Sequence, residues 1–150
     1  MTLQRREWLL GTGALAATAL AGCASAPALP ARTRVLVVGG GYGGATAAKY
    51  VRLFSNYRIE VVLVEPSDAF VSCPISNLVV GGHTTLASIT SPYETLERQH
   101  GVRRVKDTVA SIDPARKVAT LASGPTIGYD KLILSQGIDL MFDRVQGLAA

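Results

Sequence analysis

The 150 residues are 48% apolar and 17% charged, a balance that builds one packed domain and excludes a disordered chain. The net charge of +4 comes from scattered Lys and Arg, with no basic stripe interleaved with aromatics. Nucleic-acid binding is therefore not expected.

Residues 1–26, MTLQRREWLLGTGALAATALAGCASA, place Arg5-Arg6 ahead of Trp8-Leu9-Leu10 and a Gly/Ala-rich apolar run. A charged start, a short apolar stretch and small residues at the exit make a signal peptide. The arginine pair resembles a twin-arginine (Tat) export signal, with Gln4 in place of the usual Ser or Thr, and implies a periplasmic destination. Two exits are open. Leu20-Ala-Gly-Cys23 resembles a lipoprotein box, which would fix the protein to a membrane face through Cys23. Ala24-Ser-Ala26 is an A-x-A cleavage site that would discard Cys23. Residues 27–33, PALPART, read as a linker, and 34–150 as the folded domain.

Arg34–Val38, RVLVV, is a short β-branched run with no polar alternation, expected as a buried parallel strand. It opens directly into Gly39-Gly-Gly-Tyr-Gly-Gly44 and a helical segment, Ala45–Phe54. The glycines fit G-x-G-x-x-G as Gly39, Gly41 and Gly44. Gly39 permits the tight turn, Gly41 lets the backbone approach a pyrophosphate, and Gly44 lets the helix pack against the strand. Phosphates would then sit at the helix N-terminus. A second strand, Ile59–Val64, ends at Glu65, where a carboxylate accepts hydrogen bonds from a ribose 2′-hydroxyl and repels a 2′-phosphate. FAD or NAD fits this pattern, and NADP does not.

Farther along, Ser91-Pro-Tyr-Glu94 reads as a capping box opening a helix to about Gln99. A strand is expected at Val102–Val105. A β-hairpin is expected over Thr108–Ile112 and Lys117–Leu121 around Asp113-Pro-Ala-Arg116, with more strand at Ile127–Tyr129. Tyr129–Gly137, YDKLILSQG, is a returning strand that empties into a small-residue loop. His83 and His100 lack partners at ligand or relay spacing and read as solvated or structural. Asp107 and Asp113 read as turn or strand-end residues, not a catalytic pair, and Tyr42 as a residue lying against the helix or domain surface. Cys73, in Phe70–Asn77 (FVSCPISN), would be the lone thiol of the mature chain if Cys23 is discarded. It admits three readings: a reactive thiol, an intermolecular partner or a small buried residue.

VVGGGYGGATAAKY (37–50), VVLVEP (61–66), SCPISNLVVGG (72–82), IDPARK (112–117) and YDKLILSQGIDL (129–140) resemble the flavoprotein subunit of flavocytochrome c sulfide dehydrogenase. That family belongs to the FAD-dependent pyridine nucleotide-disulfide oxidoreductases and is related to sulfide:quinone oxidoreductases. The resemblance implies an α/β fold, a glutathione-reductase-like FAD-binding Rossmann domain with an inserted β-meander, incomplete at its C-terminus. It implies that Gly39, Gly41 and Gly44 hold the FAD pyrophosphate, that Glu65 holds the ribose, and that backbone near Val109 meets the adenine. Ser135-Gln136-Gly137 matches a cofactor loop that more often reads Ala-Thr-Gly or Ala-Pro-Gly.

Cys73 matches the position at which that family joins FAD covalently through an 8α-methyl thioether, and Asn77 would orient the loop or touch the isoalloxazine. Sulfide would be the substrate and a c-type cytochrome subunit the partner and electron acceptor. The redox disulfide of that family needs two cysteines beyond Cys73, so these residues are expected to form an N-terminal portion that is inactive alone. A sulfide:quinone oxidoreductase or related pyridine-nucleotide enzyme is the alternative, and a non-catalytic nucleotide-binding remnant is a third reading.

Overall fold

The computed structural model describes residues 32–138, 141–144, 146 and 147. The expected signal peptide and the linker up to residue 31 lie outside the described residues.

Four parallel strands form the central sheet: β1 (Arg34–Val38), β2 (Glu60–Val64), β5 (Arg103–Val105) and β9 (Lys131–Leu134). Their order is β5-β2-β1-β9, with Leu36 opposite Val62 and Leu132. The ladder reaches one residue before β1, where the Thr33 carbonyl accepts from Glu60 N at 2.9 Å. Beyond their first residues, Arg34 and Glu60, β1 and β2 are apolar because both sheet faces are covered. Val35, Val37, Val61 and Leu63 pack with Ala48, Tyr93 and Val102 on the helical side. Leu36, Val62 and Val64 pack with Ala119, Leu121 and Ile127 on the other. That alternation is the two-residue period of a strand dividing one apolar run between two cores.

α1 (Tyr42–Phe54) begins three residues earlier than expected. Gly41, extended at φ −65° and ψ −169°, is its N-cap, so Gly43 and Gly44 lie inside the first turn. Gly44, Ala48 and Arg52 form its buried stripe, four residues apart. Nothing in the sequence marks Arg52 as a core residue. Its Nε donates to the His100 carbonyl at 2.9 Å, and its Nη1 to the carbonyls of Tyr57, at 2.9 Å, and Ile59. A buried guanidinium is tolerated because it satisfies carbonyls that would otherwise be stranded.

Between β2 and β5 the chain makes an excursion that the sequence does not announce. It contains β3 (Ala69–Val71), α2 (Ser76–Val80), a 3₁₀ turn over Leu86–Ile89, and β4 (Thr90–Pro92). β3 and β4 pair antiparallel, with Phe70 opposite Ser91. The capping-box expectation fails here. Ser91 is extended in β4, Pro92 ends that strand, and the N-cap of α3 (Glu94–His100) is Tyr93, with no side-chain cap. A strand end tolerates a proline because its ladder donor is dispensable. α3 stops at Gly101, in the left-handed region at φ 61°.

The meander is as expected: β6 (Val109–Asp113), β7 (Val118–Leu121) and β8 (Thr126–Gly128) pair antiparallel in sequence order. Asp113 ends β6, and its Oδ1 accepts from Arg116 N at 2.9 Å in the turn that follows. β9 then returns beside β1, and Ser135 N donates to the Val38 carbonyl at 2.8 Å.

Candidate cofactor site

The turn between β1 and α1 lies at the C-terminal end of the parallel strands, where open α/β sheets place their ligands. Gly39 sits at φ +91°, and a Cβ there would stand 2.2 Å from the Ser135 carbonyl oxygen. A Cβ on Gly44 would stand 1.8 Å from the Gly39 carbonyl oxygen. The folded chain itself demands glycine at both positions. Gly41 differs: its φ is −65°, and a Cβ would meet only Phe70 Cε2, at 3.9 Å. No atom of the described residues requires that opening, which is what a cradle for an approaching phosphate looks like.

The amides of Gly41, Tyr42, Gly43 and Gly44 have no acceptor among the described residues. No acidic residue occupies the first turn of α1. Free amides at the positive end of a 13-residue helix suit a pyrophosphate.

Glu65, half-buried at the tip of β2, takes Gly40 N on Oε2 at 2.7 Å and Ser67 N on Oε1 at 2.9 Å. Both oxygens keep a lone pair, so the carboxylate is fixed in place yet still able to accept a ribose hydroxyl. Ser135 packs against the turn, its Oγ 2.8 Å from where a Cβ of Gly43 would be. A small side chain at 135 is thus a packing requirement of the turn. Gln136 is exposed, and Gly137 takes the left-handed φ of +80°. Val109 stands in a different layer: it opens β6 opposite Leu121, and its side chain packs into the core beneath the meander. Only its backbone is left for a ligand.

Cys73 is exposed and unpaired. Its carbonyl accepts from Ser76 N at 3.0 Å in the turn leading to α2. Its neighbour Ser72 is tied twice, by its amide to the Ile89 carbonyl at 2.8 Å and by its hydroxyl to the Tyr42 hydroxyl. The Tyr42 ring stands edge-on to Phe70 with centroids 4.7 Å apart. Tyr42 therefore bridges two parts of the site, where the sequence suggests a residue lying against the helix or domain surface. Gly41, Tyr42, Phe70, Ser72, Ile75 and Ile89 border a cleft of about 360 Å³ between the glycine turn and the Cys73 loop. Asn77 is exposed in α2.

Two contributors escaped the motif. Gly40 is buried, and a Cβ there would stand 2.5 Å from Tyr93 Oη. Tyr93 is 3% exposed and donates to the Gly40 carbonyl at 2.9 Å. Burial, reinforced by the nearby Glu65 charge and partly offset by Arg104, pushes its phenol up to about 12. Nothing in the spacing of the sequence links a tyrosine at the start of one helix to a glycine before another.

Residues 33–148 match the family described as pyridine nucleotide-disulphide oxidoreductase. The chain belongs to that family. It is 36% identical to the mitochondrial sulfide:quinone oxidoreductase of Mus musculus over 116 residues, covering 76% of this chain and 25% of that protein. It is 61% identical over 46 residues to the flavoprotein chain of sulfide dehydrogenase (flavocytochrome c) from Chlorobaculum thiosulfatiphilum, covering 31% of this chain and 94% of that sequence. The solved sulfide:quinone oxidoreductase of Aquifex aeolicus superposes with a TM-score of 0.65 at 29% identity, over 73% of this chain and 25% of that one. The chain thus spans about a quarter of the length of the relatives that match most of it. The family is FAD-binding, and the glutathione-reductase-like α/β fold that the resemblance implies is the fold found.

Proposed function

We propose that this chain is the FAD-binding part of an exported, periplasmic oxidoreductase, the flavin subunit of a sulfide dehydrogenase. Sulfide would donate electrons, and a c-type cytochrome subunit would receive them. The observation that supports this reading is the cleft joining the glycine turn to the Cys73 loop. One wall is Gly41 and Tyr42, the other Ser72 and Ile75, and Cys73 lies between the last two in sequence. A dinucleotide seated on the turn would reach the only cysteine among the described residues. The 61% identity to a flavocytochrome c flavoprotein chain weighs in the same direction.

In this reading Gly39 and Gly44 shape the turn, and Gly41 with the free amides of α1 receives the pyrophosphate. Glu65 holds the ribose, and backbone at Val109 meets the adenine. Ser135, Gln136 and Gly137 close the turn from the side of β9. Cys73 supplies the thiol for a covalent thioether to FAD. FAD, when bound, links a two-electron donor to a one-electron acceptor. In this reading Cys73 is the flavin tether and not a sulfide-oxidising thiol. A sulfide:quinone oxidoreductase is the second reading, favoured by relatives of that name that match about three-quarters of the chain.

Two measurements on the intact protein test these statements. Sulfide should bleach the flavin absorbance, and an added c-type cytochrome should restore it. Restoration by a short-chain quinone but not by cytochrome would establish the second reading, and no bleaching by sulfide would overturn both. For the tether, denaturing electrophoresis should show a fluorescent band that Cys73→Ala abolishes. Flavin that runs free of the wild-type band would refute it.

A further inference from the structure

We propose that Tyr93 is a positioning residue of the dinucleotide site, aiming the Gly41 amide at the phosphates by locking the Gly40–Gly41 peptide. This rests on reading the glycine turn as a dinucleotide cradle. Gly40 is held from two directions, through the amide of its Gly39–Gly40 peptide and the carbonyl of its Gly40–Gly41 peptide. The Gly40 amide donates to Glu65 Oε2 at 2.7 Å, and the Gly40 carbonyl accepts from Tyr93 Oη at 2.9 Å. Tyr93 ring atoms stand 2.7 and 2.8 Å from the place a Gly40 Cβ would occupy, so the ring fills that side of the turn.

The consequence follows from peptide geometry. No peptide bond among the described residues is cis, and in a planar trans peptide the N–H points opposite to the C=O. A Gly40 carbonyl fixed toward Tyr93 therefore fixes the Gly41 N–H away from it, on the open side of the turn. That amide has no acceptor among the described residues. If the peptide rotated, an oxygen would face the phosphates where a donor is needed.

Tyr93 is itself well anchored. Its ring belongs to the core cluster with Val35 and Val37. The Arg104 guanidinium lies 5.6 Å from the ring centroid and is held by the Ser67 carbonyl at 2.8 Å. As the N-cap of α3, Tyr93 makes the seating of that helix a condition for the shape of a turn 53 residues earlier.

Tyr93→Phe removes the hydroxyl and keeps the ring. It should be made in the intact protein carrying Cys73→Ala, so that flavin is held reversibly. FAD should bind roughly 3- to 10-fold more weakly, as expected for one hydrogen bond. ADP, competing with FAD, should lose the same factor, while adenosine, which lacks the pyrophosphate, should lose nothing. Unchanged FAD affinity would overturn the proposal, and so would an equal loss for ADP and adenosine, which marks a general loosening. If neither FAD nor ADP binds before Tyr93 is changed, it is the dinucleotide reading that fails.

Discussion

The glycine turn and the Cys73 loop face each other across one cleft and are built in opposite ways. The turn is locked by contacts that leave no room: Gly39 against Ser135, Gly40 against Tyr93, Gly44 against the Gly39 carbonyl. The loop owes little to the core. α2 buries none of its residues, and Val71, Ile75, Leu78 and Val80 all lie exposed. It is held at its base, by the β3–β4 ladder, by the Ser72 amide and by the Tyr42–Ser72 contact. The site therefore has a preorganised half and a weakly supported half. A covalent tether is most useful on the half that packing does not fix, because a covalent bond supplies the proximity that rigid packing supplies elsewhere.

The largest effect should come from Gly44→Ala. The added Cβ would meet backbone 1.8 Å away, and backbone in a packed turn cannot retreat. A loss of more than about 3 kcal/mol in unfolding free energy is expected, beyond ordinary overpacking. Gly41→Ala should do the reverse. Its Cβ has room, so stability should change by less than about 1 kcal/mol, while FAD affinity falls. Chemical denaturation and flavin titration of the two variants separate the glycine that the protein needs from the glycine that the ligand needs. A Gly41→Ala protein that is stable and binds FAD normally would remove the cradle.

That contrast also explains what the sequence could disclose. The β1–turn–α1–β2 unit is local: apolar runs, three spaced glycines and a terminal Glu65 all lie within about thirty residues, and each follows from backbone geometry. The hairpin is legible because a two-residue period survives in isolation, and β9 because an apolar run empties into a Gly-ended loop. The excursion from Ala69 to Pro92 is different. Its strands are three residues each, too short to carry a period, and Ser91-Pro92 carries the signature of a helix start while pairing with β3. Arg52 and Tyr93 act at carbonyls 48 and 53 residues away in the chain. No spacing rule reaches that far.

A smaller effect belongs to the rigid half and depends on pH. Burial, with Glu65 nearby, raises the Tyr93 phenol to about 12, against 10 for the free side chain. Above pH 10 the unfolded chain gives up a proton that the folded chain still holds. Stability from this group is therefore complete below pH 10 and is lost as pH rises from 10 through 12. Unfolding temperature measured across that window should drop more steeply for wild type than for Tyr93→Phe. Parallel curves would mean that the phenol is not held by the turn.

The smallest effect belongs to the base of the weakly supported half. Asp68 stands where the chain leaves β2 for β3, and Lys106 Nζ donates to its Oδ2 at 2.7 Å. That hydrogen bond and the Lys106 charge, with a lesser contribution from Arg104, hold the Asp68 carboxyl below its ordinary 3.8. The anchor is thus present above about pH 4 and is lost as pH falls below 3.8. Because the pair is exposed, salt should weaken it as well. Asp68→Asn at neutral pH should speed amide exchange at Phe70 and Val71 slightly and leave Gly39 and Gly40 unchanged. The Gly39 and Gly40 amides are held by Val64 and Glu65 on the β2 side, independently of Lys106. Faster exchange at both places would show that the two halves open together.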